Sequence, residues 1–416
     1  MQLSSPILLK QFSNVLQGEL FPAIASATGP LSKHSRLLIS IVSMVPLAAF
    51  AGSRAPTGRP RRDRQSLIRS FLAKAVYNFT TTRQLLDRLR SDEQLRRLCG
   101  WDSLAAIPAE STFSRAFAAF AAAGTAERIH ETIIRNTQQN RTFAYIARDA
   151  TAIEARERFP EKEEQTSSGK KPKKAKPPAK STKAKKQQTK KKQTKKQPRK
   201  PFGPYRRKES SRREVSIKEG AYGPNRRSKT VDRGTRIERQ HHMTLEAMLA
   251  DLPRDCSIGV KRSSKGHQQY WRGYKLHWDV ASGDRIPVSC LLTGASVHDS
   301  QVAIPLMEIS HSRVKWRCDV MDSAYDAGAI RSKWKKLKHE SLIQPVERPK
   351  SKECANWTEE KKQRYKIRTI AEQQNGRLKD EFGGRAIYVR GAAKVMAHLM
   401  FGVIALTVDH ILRAVG

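Results

Sequence analysis

The stretch TFAYIARD, Thr142 to Asp149, decides the fold. Phe143, Tyr145 and Ala147 alternate with charged or small neighbours, the period of a β-strand with one face on a core, and the run ends on a carboxylate. Downstream, YWRGYKLHWDV (Tyr270 to Val280) is a second strand, with Tyr270, Tyr274, Leu276, Trp278 and Val280 on one face. The turn ASGD leads into a third strand, Ile286 to Leu292, and makes a hairpin. Asp299 is expected to cap a helix through Met307. VKWRCDVMD (Val314 to Asp322) is a fourth strand, with Val314, Trp316, Cys318 and Val320 inward; a helix to about Leu337 and a fifth strand, ESLIQP, follow. The order β-β-β-α-β-α-β-α predicts an α/β fold, a mixed five-stranded sheet flanked by helices with strands one, four and five parallel at its centre.

Upstream the pattern is helical. Leu85, Leu86 and Leu89, then Ser91 as a candidate N-cap, Leu95, Leu98 and Gly100 as a stop give one set of helical signals, and a helix after Pro108 carries Phe113, Phe117 and Phe120 on one side. Arg83, Arg88, Arg90, Arg96, Arg97 and Arg115 on these short helices suit either a DNA-reading helix-turn-helix or a packing domain with a solvated basic face. Leu37 to Ala51 is apolar but too short for a bilayer, which needs about 20 residues, and Pro46 interrupts it, so a buried helix pair is expected. Lys394 to Leu412 reads as a core helix, since Lys394, His398 and Asp409 break its apolar run. No basic region followed by a cleavage motif opens the sequence, so secretion is not indicated.

Charge narrows the partner. With 80 Lys and Arg against 39 Asp and Glu, the 416 residues carry +41, which points to a polyanion, nucleic acid ahead of an anionic membrane. About half of that charge, +21, lies in residues 161–240, whose first forty hold 17 Lys and Arg against 3 Glu with almost no large apolar side chain. Such a segment cannot bury enough surface to fold, so it reads as a disordered electrostatic tether for the DNA backbone, or as a solvating linker that is merely basic. Cys99, Cys256, Cys290, Cys318 and Cys354 form no CxxC pair, which argues for core residues in a reducing cytosol rather than for zinc or disulfides. His241 and His242 read as a solvated loop pair.

Three carboxylates stand out. Asp149 and Asp322 end the first and fourth strands, and ligands of such sheets gather at the carboxyl ends of strands. Glu372 lies in RYKIRTIAEQQNGRLK (Arg364 to Lys379), where at 100° per residue Tyr365, Arg368, Glu372 and Lys379 share a wedge of about 60°. Three crowded carboxylates repel unless divalent cations neutralise them, and hard oxygen donors suit Mg²⁺ or Mn²⁺, with two ions able to run phosphodiester chemistry. Each acid also has a plain reading, as a turn former or a solvated helix residue. Asp319 and Asp326 are the rivals of Asp322; Asp319 has the outer-face parity of its strand.

At this point the residues resemble insertion-sequence transposases of the DDE type, whose catalytic domain is RNase H-like. Tyr365, Arg368, Glu372 and Lys379 reproduce the Y-x2-R-x3-E-x6-K spacing of the YREK branch; VMDSAYDAG looks like the second-Asp block, and GYKLHWDV, IPVSCLLTGASVHDSQVAIPLM and VRGAAKVMAHLMFG are similar to other blocks. GRP (Gly58 to Pro60) and LLDRLRSDEQLRRLCGW resemble the N-terminal region. The resemblance implies a metal-dependent transposase that cuts the ends of its element and joins the 3′-hydroxyls to target DNA, with Asp149, Asp322 and Glu372 holding two Mg²⁺ or Mn²⁺ ions. It implies Tyr365, Arg368 and Lys379 as contacts to phosphates or a displaced base, double-stranded DNA as partner, a homodimer on that DNA, and a cytoplasmic, nucleoid-associated place of work. The expected layout is a helical N-terminal domain over 1–135 that is a candidate for DNA binding, a catalytic domain in two parts, 136–160 and 241–416, and the basic insert 161–240 between them. Two departures stand against the pattern: Gln373 where Arg is expected, and the length and simple composition of the insert. A non-catalytic basic protein that packages nucleic acid, and an RNase H-like nuclease without strand transfer, remain as alternatives.

Overall fold

In the computed structural model, which describes residues 3, 5–51, 62–157, 234–262, 266–345 and 357–415, the stretch at Thr142 opens a mixed sheet. Its strands are β1 (Thr142–Glu154), β2 (Ser257–Arg262), β3 (Gln268–Ala281), β4 (Pro287–Gly294), β5 (Lys315–Met321) and β6 (Glu340–Ile343). β1 lies between antiparallel β3 and parallel β5, and β6 extends the parallel side. β2 pairs with the first half of β3 and β4 with its second half. The parallel pairing of β1, β5 and β6 is the one the sequence predicts, although β6 lies at the edge of the sheet rather than at its centre.

The sheet has six strands rather than five. Ser257–Arg262 escapes sequence reading because its apolar residues face out: Ile258 and Val260 are exposed. β1 also continues five residues past Asp149. Parallel pairing with β5 ends at Arg148 and Met321, but hydrogen bonding to β3 carries on to Gly273, with Thr151 and Ile153 buried.

Both faces are covered, which changes the reading of Asp319. It pairs with Ile146 on the face away from Asp149, yet it is wholly buried, accepting a hydrogen bond from Trp316 Nε1 at 2.8 Å. Beside it Arg148, also wholly buried, donates to both carboxylate oxygens of Asp279 at 2.7 Å and lies 3.4 Å from Asp319. Ser310, on helix Ala303–His311, donates to Asp279, and Arg148 stacks 5.2 Å from the ring of Trp334, on helix Gly328–Lys336. One guanidinium thus ties β1 to β3 and β5 under two covering helices.

Helix caps fall differently from expectation. Asp92, not Ser91, caps helix Glu93–Leu98, and His298, not Asp299, caps the short helix Asp299–Val302; Asp299 instead receives Lys275 Nζ at 2.9 Å. The core is organised by helix Ala392–Val415, which packs on helices Lys33–Met44, Arg64–Val76, Glu110–Ala122 and Thr125–Gln138 and on β4. Phe71 joins the two ends of the chain, its ring within 6.5 Å of Phe113, Phe117, Phe120 and Phe401. Helix Ala392–Val415 is long and apolar enough to cross a membrane, but its apolar span is 78% buried inside the protein, as a core helix should be. Cys99, Cys290 and Cys318 are buried thiols and Cys256 is half-buried, while Cys354 lies outside the described residues.

Most of the basic insert, to residue 233, and Gly58 to Pro60 lie outside the described residues. Structure begins before residue 241, however. Helix Arg236–Arg239 has a capping box between Thr235 and Glu238, and Arg236 reaches Asp251 at 2.7 Å. His241 is no solvated loop residue either, because its Nε2 meets the Ala329 carbonyl at 2.9 Å.

Arg148→Met leaves Asp279 and Asp319 buried without their cation and should cost about 3–5 kcal/mol in urea unfolding. Arg90→Ala, whose pair with Asp87 is exposed, should change stability by less than about 0.5 kcal/mol.

Candidate active site

The first two acids meet because of strand register. Arg148 pairs with Met321 at the end of the parallel β1–β5 ladder, so Asp149 and Asp322 are the next residues on adjacent chains, near enough for the charge of Asp322 to act on Asp149. Asp149 sits within β1, opposite Trp278 of β3, and is 13% exposed. Asp322 follows β5 and caps the short helix Ser323–Tyr325, its Oδ1 accepting from the Ala324 amide at 3.0 Å. The turn-forming reading of Asp322 and a role in a site therefore hold together.

The helix bearing Glu372 is not continuous. Helix Glu359–Tyr365 ends in a 3-10 turn, Lys366–Arg368, before helix Thr369–Glu381 begins, so the uninterrupted wedge of the four signature residues does not form. Arg368 and Glu372 still share a face, four residues apart, and the guanidinium bridges the acids: Nη2 donates to Glu372 Oε1 while Nη1 lies 3.7 Å from Asp149 Oδ1. Burial pulls Arg368 down, but Tyr365, Asp149, Glu372 and Asp322 outweigh it and hold the guanidinium above its ordinary value.

Tyr365 and Lys379 point to different surroundings. Tyr365 is half-buried against the small cluster of Cys318, Val320 and Leu342, packs edge-on to Trp357, and donates to Gln344 Oε1 at 3.1 Å. Lys379 lies seven residues beyond Glu372, about 10 Å along the helix. Burial and the positive charges of Lys261 and Arg385 lower its value, against Glu154. Gln373 is exposed.

Two neighbours of these acids fall outside the set named from the sequence: Asn375 has no signal there, and Asp299, beside His298, is set aside as a helix cap. Asn375, one turn after Glu372, donates Nδ2 to Asp149 Oδ2 at 2.8 Å. Asp299, which reads as a helix cap in the sequence, stands close enough to add its charge to the burial that raises Asp322. Asp149 is pushed up to about 6, chiefly by burial, with Arg368 opposing and the Asp322 and Glu372 charges adding to it.

The donors are hard oxygens on adjacent strand ends, the chemistry that suits Mg²⁺ or Mn²⁺. Among the described residues, no three His, Cys, Asp or Glu side chains already stand as a ligand cluster, and Glu372, 49% exposed, is engaged by Arg368. Asp149, Asp322 and Glu372 have the donor chemistry for such an ion, with Glu372 held by Arg368 in this structure. Among the described residues, Arg83, Arg90 and Arg97 on the N-terminal helices make exposed ion pairs, and Arg88 pairs with the half-buried Asp92.

A six-stranded mixed sheet flanked by helices, preceded by a helical N-terminal region, is consistent with an RNase H-like DDE domain. Residues 234–408 match the family described as Transposase DDE domain, and residues 28–119 match that described as Transposase domain (DUF772). Together the two matches support an insertion-sequence transposase, and the first implies a metal-dependent enzyme that cleaves DNA. Asp322 and Glu372 fall inside the first matched region; Asp149 lies outside both. No curated protein and no solved structure matches the chain.

The Asp149 carboxyl lies above its value in an unfolded chain, so its ionisation costs the folded state stability. That cost is absent below about pH 4, grows as pH rises to about 6 and is constant above. In chelator at pH 7.5, Asp149→Asn should therefore unfold at higher urea, by about 2 kcal/mol, with the gain vanishing at pH 4.

Proposed function

We propose that the protein is a DNA transposase that hydrolyses a phosphodiester at each end of its element and transfers the 3′-hydroxyls to target DNA. The observation that carries this reading is the juxtaposition of Asp149 and Asp322 beyond the parallel β1–β5 ladder, with Glu372 and Arg368 on the helix above. Asp149, Asp322 and Glu372 would hold two Mg²⁺ or Mn²⁺ ions. When bound, these supply activation of the attacking oxygen and stabilisation of the leaving one.

The protein's own groups do the positioning. Asn375 orients one oxygen of Asp149. Arg368 neutralises Asp149 and Glu372 until substrate comes, and its planar fork then matches a phosphate of the strand being cut. Lys379 extends this basic line toward the strand's continuation, and Tyr365 serves chiefly to seat the 3-10 turn that presents Arg368. We assign residues 1–135 to DNA binding, the two flanking segments 136–160 and 241–416 to catalysis, and the Lys-rich segment of 161–240 to holding the duplex by its charge. Joining of two ends calls for two copies on the DNA, in the compartment where that DNA lies.

Alanine at Asp149, Asp322 or Glu372 should abolish cutting of end-bearing DNA while binding persists; retained cutting by any of the three removes that residue from the site. Assaying joined products separates a transposase from a nuclease without strand transfer. Deleting residues 161–200 should lower the salt dependence of DNA binding by several units of log–log slope and leave metal-dependent cutting in place. Loss of all DNA interaction on that deletion would instead indicate a packaging protein.

A further inference from the structure

Helix Arg64–Val76 buries a residue that does not belong in a packing core. Lys74 is 8% exposed, and its hydrogen-bond partner among the described residues is a neutral ring, His398 Nδ1, at 3.4 Å. His398 Nε2 meets the Gly383 carbonyl at 3.0 Å, which makes Nε2 the donor and leaves Nδ1 to accept from the ammonium. Burial, with Lys74 nearby, pushes His398 down to about 3, so it stays neutral; burial alone pushes Lys74 down to about 8. An ammonium held this way, with no carboxylate within ion-pair distance among the described residues, is costly, and an anion brought beside it would offset that cost.

The place it would arrive is adjacent. A cavity of about 430 Å³ is lined by Lys74 and by the exposed cations Arg390 and Lys394, with no Asp or Glu in its wall. Its apolar side is aromatic: Phe71 and Phe117 are buried there, while Tyr388 is 45% exposed, and Arg156 lies 4.6 Å from the Tyr388 ring. Three cations beside three aromatic rings match a phosphate attached to a flat, apolar body. The volume falls in the range that holds one small ligand and is too small for stacked base pairs.

We propose that this cavity is a binding site for one nucleotide of an unpaired DNA strand, its phosphate on Lys74, Arg390 and Lys394 and its base against Phe117 and Tyr388. The walls come from both matched regions, residues 28–119 and 234–408, so a strand held here links the N-terminal helices to the C-terminal helix. None of its residues belongs to the acid set. The inference rests on the reading that the protein handles DNA ends, but its test reads binding without metal and so can fail while cleavage stands.

The test is fluorescence anisotropy of the full chain in chelator, with a labelled single-stranded 12-mer and with the same sequence as blunt duplex. Lys74→Met should weaken the single strand at least tenfold and Tyr388→Ala several-fold, with duplex affinity changed less than twofold. Tyr388 is exposed, so it carries the test should the Lys74 variant melt early. Equal losses on strand and duplex would reduce the cavity to part of a general basic surface and overturn the proposal, as would unchanged affinity for both. A deoxynucleoside monophosphate should compete only at far higher concentration than the strand; competition at equal concentration would assign the cavity to free nucleotides and overturn the strand assignment.

Discussion

The bidentate pair between Arg148 and Asp279, with Asp319 alongside, is the interaction on which the rest of this structure depends. A buried ion pair adds little net stability, since desolvation offsets its attraction, but it penalises every arrangement in which a partner is missing. Here the partners lie on β3, β1 and β5, so the pair allows one register among the three central strands. Asp149 is the next residue after Arg148, and Asp322 follows Asp319 by three. A slip of β1 by one residue would turn Arg148 to the wrong face and Asp149 away from Asp322. Chemistry on one face of the sheet is thereby indexed by electrostatics on the other.

Above the sheet a second cation sets the state of the acids. Arg368 lies between Asp149 and Glu372, on a turn where the helix breaks and restarts, and Asn375 holds the remaining oxygen of Asp149. Asp149 nevertheless lies well above its ordinary range, because burial outweighs the guanidinium. A pair of carboxylates kept partly desolvated and only partly compensated is what a site needs if it is to welcome further positive charge.

How much of this was legible in the sequence follows from which forces write into it. The parallel pairing of β1, β5 and β6, the core helix at the C-terminus and the Phe113, Phe117 and Phe120 face were readable because burial on one face imposes a period. Ser257–Arg262 was not, since its apolar residues point to solvent; parity set Asp319 on the face away from Asp149, as found, but could not say that helices bury that face too. Asp149 and Asp322 could be proposed from strand ends, although Asp149 lies within its strand and only its parallel partner stops there. Asn375 carried no signal: an Asn on a helix has no period or motif, and its bond to Asp149 arises between residues 226 apart in the chain. The break at Lys366–Arg368 was hidden because neither Gly nor Pro marks it.

The central claim is that segments around residues 149, 322 and 372 surround one divalent-cation site. Replacing Mg²⁺ by Fe²⁺ in the full chain bound to DNA, and adding ascorbate and peroxide, cuts the backbone only within a few ångströms of the bound ion. Sequencing of the fragments should give cuts at all three segments, suppressed together by excess Mg²⁺ and absent in Asp322→Ala. Cuts at a single segment, or a pattern unchanged by Mg²⁺ and by that substitution, would contradict the account.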